Sequence, residues 1–142
     1  MFSFGKASLE KLATCHSHLI TVANTALLWS PYDFSIIEGH RSVERQQQLF
    51  AEKKTHIDGV TRRGNHNYTP SLALDFLPYP GSVNEVDVWA DDNRFAVIAG
   101  VFFASASHHH TQIRWGGDWD GDGNAKDQSL YDLPHIELVG FA

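Results

Sequence analysis

Four side chains in this sequence could do metal chemistry together: His66, Asp75, His135 and, three residues before the last, Asp132. Two imidazoles and one carboxylate make a zinc ligand set that leaves a coordination position open. Hydrolytic zinc sites need three protein ligands, a water and an acid/base group beside that water, and Asp132 could be the last of these. Asp75 has a further physical claim. It lies in Leu72-Ala73-Leu74-Asp75-Phe76-Leu77, an otherwise apolar segment, where a carboxylate is costly unless paired or bound to metal. The set is not a compact motif such as His-Glu-x-x-His, so spacing admits a second account. In that account Asp75 pairs with an arginine, and the two histidines are ordinary loop and strand residues.

The elements that must position these groups follow from hydrophobic periodicity. Leu9, Leu12, Ala13, His16, Ile20, Ala23 and Leu27 recur near the helical period, predicting one amphipathic helix over Ser8–Leu28 with Ser8 as its N-cap. Pro31 stops it, because proline disfavours the helical region for the residue before it. Phe34–Glu38 reads as a strand. Ser42 caps a second helix to about Lys53, and Thr55–Pro70 is loop-like, with Gly59, Gly64, Asn65 and Asn67. Leu72–Leu77 reads as a half-buried strand ended by Pro78, Pro80 and Gly81. Val86 to about Ser107 predicts a second long helix, with Phe95, Ile98, Phe102 and Phe103 on its apolar face. Gln112–Trp115 and His135–Val139 are the remaining strands. The expected fold is α+β, with two or three helices packed on a small antiparallel sheet.

Composition narrows the function. The 142 residues fit one domain, and 42% hydrophobic with 12% aromatic residues argues for a packed globule. A formal charge of -6 with scattered Lys and Arg supplies no basic stripe for nucleic acid. No apolar run approaches the roughly 18 residues of a membrane span, and no secretory signal is evident at the start. The single cysteine, Cys15, excludes an internal disulfide and a thiolate zinc site. Its apolar neighbours make it a buried structural thiol.

Several segments resemble a known family. Asn65-His66-Asn67-Tyr68-Thr69-Pro70-Ser71-Leu72-Ala73-Leu74-Asp75-Phe76 is similar to the first zinc motif of the D-alanyl-D-alanine carboxypeptidase/dipeptidase superfamily. Arg114-Trp115-Gly116-Gly117-Asp118-Trp119 and Asp132-Leu133-Pro134-His135-Ile136-Glu137-Leu138 resemble its C-terminal motifs. Ser30-Pro31-Tyr32-Asp33-Phe34 and Gly39-His40-Arg41-Ser42 are similar to segments of its phage branch, the endolysins of the L-alanyl-D-glutamate peptidase type. The resemblance covers nearly the whole chain. It implies the hedgehog-like (LAS) zinc peptidase fold, zinc on His66, Asp75 and His135, Asp132 as catalytic acid/base, and Arg41 orienting the substrate carbonyl and its developing oxyanion. Many relatives have a shorter His-to-Asp interval with a glycine; here Pro70-Ser71 and two extra residues intervene, a variant familiar in the phage branch.

The resulting expectation is a monomeric, single-domain catalytic peptidase over residues 1–142, without a separate wall-binding domain. Its substrate is the peptidoglycan stem peptide, cut between L-Ala and D-Glu for host-cell lysis. It is made in the host cytoplasm, without a signal peptide or membrane insertion, and reaches the wall after release. Two alternatives are a D-Ala-D-Ala carboxypeptidase or dipeptidase, and a non-catalytic, metal-stabilised peptidoglycan-binding module. Asp132 and Arg41 together argue against the second.

Other features have competing accounts. Asp118-Trp119-Asp120-Gly121-Asp122-Gly123 matches the opening of an EF-hand loop, predicting calcium on Asp118, Asp120 and Asp122, with Asp127 a further candidate. Position twelve is Ser129 in place of a bidentate Glu, and a solvated acidic turn explains the segment equally simply. His108-His109-His110 is read as a surface triplet at a helix C-terminus, where histidine meets the favourable end of the dipole. His40 is placed beside the cleft. Trp115 and Trp119 are either a wall against the peptide or core. Arg62-Arg63 is either an attractor for an acidic peptide or a solvated pair.

Overall fold

The computed structural model describes residues 1–123 and 131–141. Its frame is a four-stranded antiparallel sheet in the order β1-β2-β6-β5, built from β1 (Phe34–Glu38), β2 (Ala73–Pro78), β5 (Ile113–Trp115) and β6 (His135–Leu138). Two further strands, β3 (Ser82–Val83) and β4 (Val86–Asp87), form a small exposed hairpin. Alternation along the strands divides the sheet into two faces. Leu74 and Phe76 of β2 and Ile136 and Leu138 of β6 face the helices and are fully or nearly fully buried. Asp75, His135 and Glu137 fall on the other face, and it is this face that carries the chemistry.

The helices are α1 (Lys6–Leu12), α2 (Ser17–Trp29), α3 (Val43–Ala51) and α4 (Asp92–His108). Phe34, Phe76, Phe95 and Phe102 form the centre of the core, with Phe76 and Phe102 stacked 5.3 Å apart. Helices α2 and α4 are also tied by Ser105 Oγ, which donates to the Val22 carbonyl at 2.7 Å.

Two helix expectations are corrected. The segment Ser8–Leu28 is not one helix. It starts earlier, with Gly5 and not Ser8 at the N-cap, and it breaks between Leu12 and Ser17. The break is a docking site for a distant segment: His16 N donates to the Ser71 carbonyl at 2.8 Å, and Ser71 N donates to the Thr14 carbonyl at 2.9 Å. A backbone engaged in that bridge cannot also complete a helical ladder. The second correction concerns Val86–Ser107. Its first residues form β4 and a 3-10 turn (Val88–Ala90), and α4 begins only after Asp91. Asp91 caps it by accepting from Arg94 N at 3.3 Å and grips Arg94 Nε at 2.7 Å through its other oxygen. Among the described residues there are four α-helices, against the expected two or three. The antiparallel sheet, the strand Phe34–Glu38 and the Ser42 cap, which accepts from Arg45 N at 3.1 Å, are as expected. No helix among the described residues is long and apolar enough to cross a membrane.

Candidate metal centre

The antiparallel register places Asp75 of β2 directly opposite His135 of β6. His66 arrives from the other side, on a 3-10 turn (Asn65–Asn67) at the end of the long loop. That turn is pinned to the sheet and to the Arg41 segment: Leu72 N donates to the Asn65 carbonyl, Arg41 N to the His66 carbonyl at 2.7 Å, and Asn67 Nδ2 to the Arg41 carbonyl. The extra residues between His66 and Asp75 are taken up by the stretch that docks onto the helix break through Ser71. The long interval therefore does not displace the histidine.

His66, Asp75 and His135 are all buried, and one ligand atom from each lies within 4.8 Å of the others. The separations are tighter than that limit: His66 Nε2 to His135 Nδ1 is 3.2 Å, His66 Nε2 to Asp75 Oδ1 is 3.2 Å, and His135 Nδ1 to Asp75 Oδ1 is 3.4 Å. Two ligand atoms held at 2.0–2.1 Å by a tetrahedral zinc stand about 3.3–3.4 Å apart. The triangle thus has the size of one face of a zinc tetrahedron.

The outward nitrogens decide which atoms are left for an ion. His66 Nδ1 lies 2.7 Å from the Gly39 carbonyl, and His135 Nε2 lies 2.7 Å from Glu137 Oε1. Both partners can only accept, so both outward nitrogens carry protons. Two neutral rings would then meet lone pair to lone pair at the centre, an arrangement relieved only by a shared proton or a cation. Asp75 Oδ1, buried beside them, makes no hydrogen bond of acceptable geometry. Burial works against a charged His135, but Asp75 and Glu137 outweigh burial and push its pKa up to about 10. Burial likewise opposes the Asp75 charge, yet His66 and His135 hold that carboxyl well below its usual range. Donor types, spacing and the orphaned oxygen all fit a divalent metal.

Beside the triangle opens a cleft of about 690 Å³. Asp132 stands at its edge with its side chain 42% exposed and Oδ2 3.9 Å from His135 Nδ1. The turn from Asp132 to His135 is closed by His135 N donating to the Asp132 carbonyl, and Asp132 N in turn donates to the Gly116 carbonyl. Gly116 packs so tightly on the Asp132 backbone that any Cβ there would collide with it. Burial and the nearby Asp75 charge raise the Asp132 pKa, which suits a group that exchanges protons. Arg41 also lines the cleft. Its Nε and Nη2 fork onto Glu38 at 2.7 and 2.9 Å, and Nη1 donates to Gln46 Oε1 at 2.9 Å. Three of the five N–H donors of the guanidinium are thereby used to fix it. Of the nitrogens that carry the other two, Nη2 also forms an ion pair with Asp75 Oδ2 at 3.8 Å, so the arginine partner considered for Asp75 is present beside the histidines.

Most of the remaining expectations separate cleanly. Trp115 belongs to the core and donates to the Leu133 carbonyl, whereas Trp119 lines the cleft with its ring 5.2 Å from that of His135. Arg62 and Arg63 lie on the cleft wall; Arg63 also covers the Tyr68 ring. His40 is exposed and paired with the Tyr68 carbonyl, and His56 reaches the cleft in its place. His109 meets Thr25 Oγ1 at 2.7 Å at the end of α4, and the triplet joins no metal-ligand group among the described residues. Asp118, Asp120 and Asp122 do converge, on an exposed turn held by Gly123 N donating to Asp118 Oδ2. Asp127 and Ser129 lie outside the described residues, and the calcium expectation gains no support beyond this acidic cluster. Sequence reasoning gave no role to Glu38, Gln46, Arg114 or Glu137. The signal for Glu137 was present, since it stands two residues from His135 on a strand and so shares its face.

Fold and site together give an α+β protein with a buried His-Asp-His group beside an open cleft, and comparison with known proteins supplies the class. The phage L-alanyl-D-glutamate peptidase family model matches residues 1–139, and the chain belongs to that family. The L-alanyl-D-glutamate peptidase of Escherichia phage T5 is 33% identical over 141 residues, covering 97% of this chain and 98% of that protein. The peptidoglycan L-alanyl-D-glutamate endopeptidase CwlK of Bacillus subtilis (strain 168) is 26% identical over 122 residues, covering 75% of this chain and 61% of the relative. The crystal structure of the Serratia marcescens L-Ala D-Glu endopeptidase ChiX is similar with a TM-score of 0.75 and 27% identity, covering 96% of this chain and 90% of that one.

Proposed function

We propose that this chain is a zinc-dependent endolysin that hydrolyses the L-Ala–D-Glu bond of the peptidoglycan stem peptide. The observation that carries the reading is the triangle of His66 Nε2, Asp75 Oδ1 and His135 Nδ1, with sides of 3.2, 3.4 and 3.2 Å, opening beside Asp132 into the cleft. Bound by these three residues, zinc would supply Lewis-acid polarisation of a carbonyl and a lowered pKa for water. Asp132 takes the proton of the attacking water and delivers it to the amine nitrogen of the leaving D-Glu. Arg41, held rigid by Glu38 and Gln46, turns its two remaining donors toward the carbonyl oxygen as negative charge develops there. Arg62, Arg63 and Arg114 on the cleft wall complement the free carboxylate of the D-Glu residue.

In this reading the chain is a monomeric catalytic domain, made in the host cell, that meets its substrate at the wall. The names of the T5, Bacillus and Serratia relatives support the bond assigned. Mass spectrometry of muropeptides after digestion tests it. The expected products are a muramyl fragment ending in L-Ala and a peptide beginning with D-Glu. Release of terminal D-Ala would instead identify a carboxypeptidase, and unchanged muropeptides a non-catalytic wall-binding module.

A further inference from the structure

The proposed reaction leaves one buried acid without a task. Glu137 is 8% exposed and stands on the same face of β6 as His135. Its two oxygens are divided between two partners. Oε1 lies 2.7 Å from His135 Nε2, and Oε2 accepts from Arg114 Nη1 at 3.2 Å. The register of β5 with β6 puts Arg114 directly opposite Glu137, so the sheet itself sets this contact. The Asn65 side chain, next to His66 in the chain, lies beside the same carboxylate.

The geometry points to Glu137 as the positioning residue that fixes the tautomer and ring orientation of His135, with Arg114 holding the carboxylate in place, and so sets the affinity of the His66–Asp75–His135 group for zinc. This inference rests on the metallopeptidase reading above. A neutral imidazole carries one proton, and the Glu137 carboxylate requires it on Nε2, which leaves the Nδ1 lone pair for the metal. Without that acceptor the proton is free to sit on Nδ1, where it blocks the ligand position, and the ring is free to flip. His66 has no such exposure to mutation, because its orienting acceptor is the backbone carbonyl of Gly39. Glu137 is therefore the side chain on which the correct form of a ligand depends, and such partners typically tune metal affinity by roughly 10- to 100-fold.

The test measures zinc affinity by competition with a chromophoric chelator for the wild-type protein and for Glu137→Ala, Glu137→Gln and Arg114→Ala. Histidine ring-nitrogen NMR of the zinc-loaded proteins accompanies it. Glu137→Ala is expected to weaken zinc binding by about 10- to 100-fold and to lose the single Nε2-protonated signature of His135. Glu137→Gln, whose amide oxygen still accepts from Nε2, is expected to recover part of the affinity and most of that signature. Arg114→Ala is expected to fall between wild type and Glu137→Ala. If Glu137→Ala does not fold, the isosteric Gln variant and Arg114→Ala carry the test. Wild-type affinity and an unchanged tautomer in every folded variant would overturn the inference while leaving the zinc site standing. A wild-type protein that takes up no zinc would overturn the metallopeptidase reading and this one with it.

Discussion

Asp75 and His135, far apart in the chain, face each other across β2 and β6 with Oδ1 3.4 Å from Nδ1. The carboxylate is buried, and that oxygen has no satisfactory hydrogen bond of its own. Arg41 Nη2 lies 3.8 Å from the other carboxylate oxygen, Oδ2, so the arginine compensates part of the charge. Oδ1 is left facing the two histidines, where a cation or a protonated ring would complete the compensation. This relationship makes the metal reading a physical one, independent of motif.

Removing the metal is expected to abolish activity. Dialysis against a strong chelator should stop hydrolysis of purified peptidoglycan, and zinc at one equivalent should restore it. Asp75→Ala should lose both zinc and activity, because it removes one of three ligands and leaves two facing lone pairs. Retained stoichiometric zinc in that variant, measured by elemental analysis, would count against the site.

Asp132→Ala separates chemistry from metal binding. Its side chain stands outside the ligand triangle, 3.9 Å from His135 Nδ1. Turnover should fall by about 100- to 10,000-fold, the range for a lost general acid/base, while zinc content stays near one per chain. Full activity in this variant would sink the assignment.

Gly116→Ala tests how Asp132 is placed. An added methyl would strike the Asp132 carbonyl and push the turn away from the cleft. The expected result is reduced kcat with zinc affinity close to wild type, read from steady-state kinetics and chelator competition.

Asp58 organises the loop that carries Arg62 and Arg63. Its Oδ1 accepts from the backbone N–H of Val60, Thr61 and Arg62, and the Thr61 hydroxyl donates to Oδ2. These bonds, the Thr61 hydroxyl first, hold its pKa down to about 2. A lowered carboxylate pKa stabilises the turn above the ordinary value near 4 and releases it as pH falls toward 2. Asp58→Ala should raise KM several-fold with kcat and zinc content little changed, since the cleft wall loosens and the metal group is untouched.

Cys15 should be a slow thiol. Burial, helped by the Asp75 charge and only partly offset by Thr14, pushes its pKa up to about 11. Alkylation by iodoacetamide at pH 8 should be far slower in the native protein than in denaturant, because the thiolate is the nucleophile. Rapid native labelling would contradict the packing of the helix break around it.

The sequence by itself determined the chemistry available and much of its local setting. It showed a carboxylate inside an apolar strand, a strand over Phe34–Glu38, a Ser42 cap and a single cysteine with apolar neighbours, because each is fixed by interactions within a few residues. Resemblance of the motifs around His66, Asp75, Asp132 and His135 then indicated the family that the comparisons establish. Only the tertiary structure decided what depends on contacts between distant segments. Ser71 breaks the first helix by bonding to Thr14 and His16, which no periodicity over residues 8–28 can reveal. The β2–β6 register brings Asp75 to His135, and the β5–β6 register brings Arg114 to Glu137. Backbone pairing between strands is non-local, and a slip of one residue would have turned every one of these side chains to the opposite face.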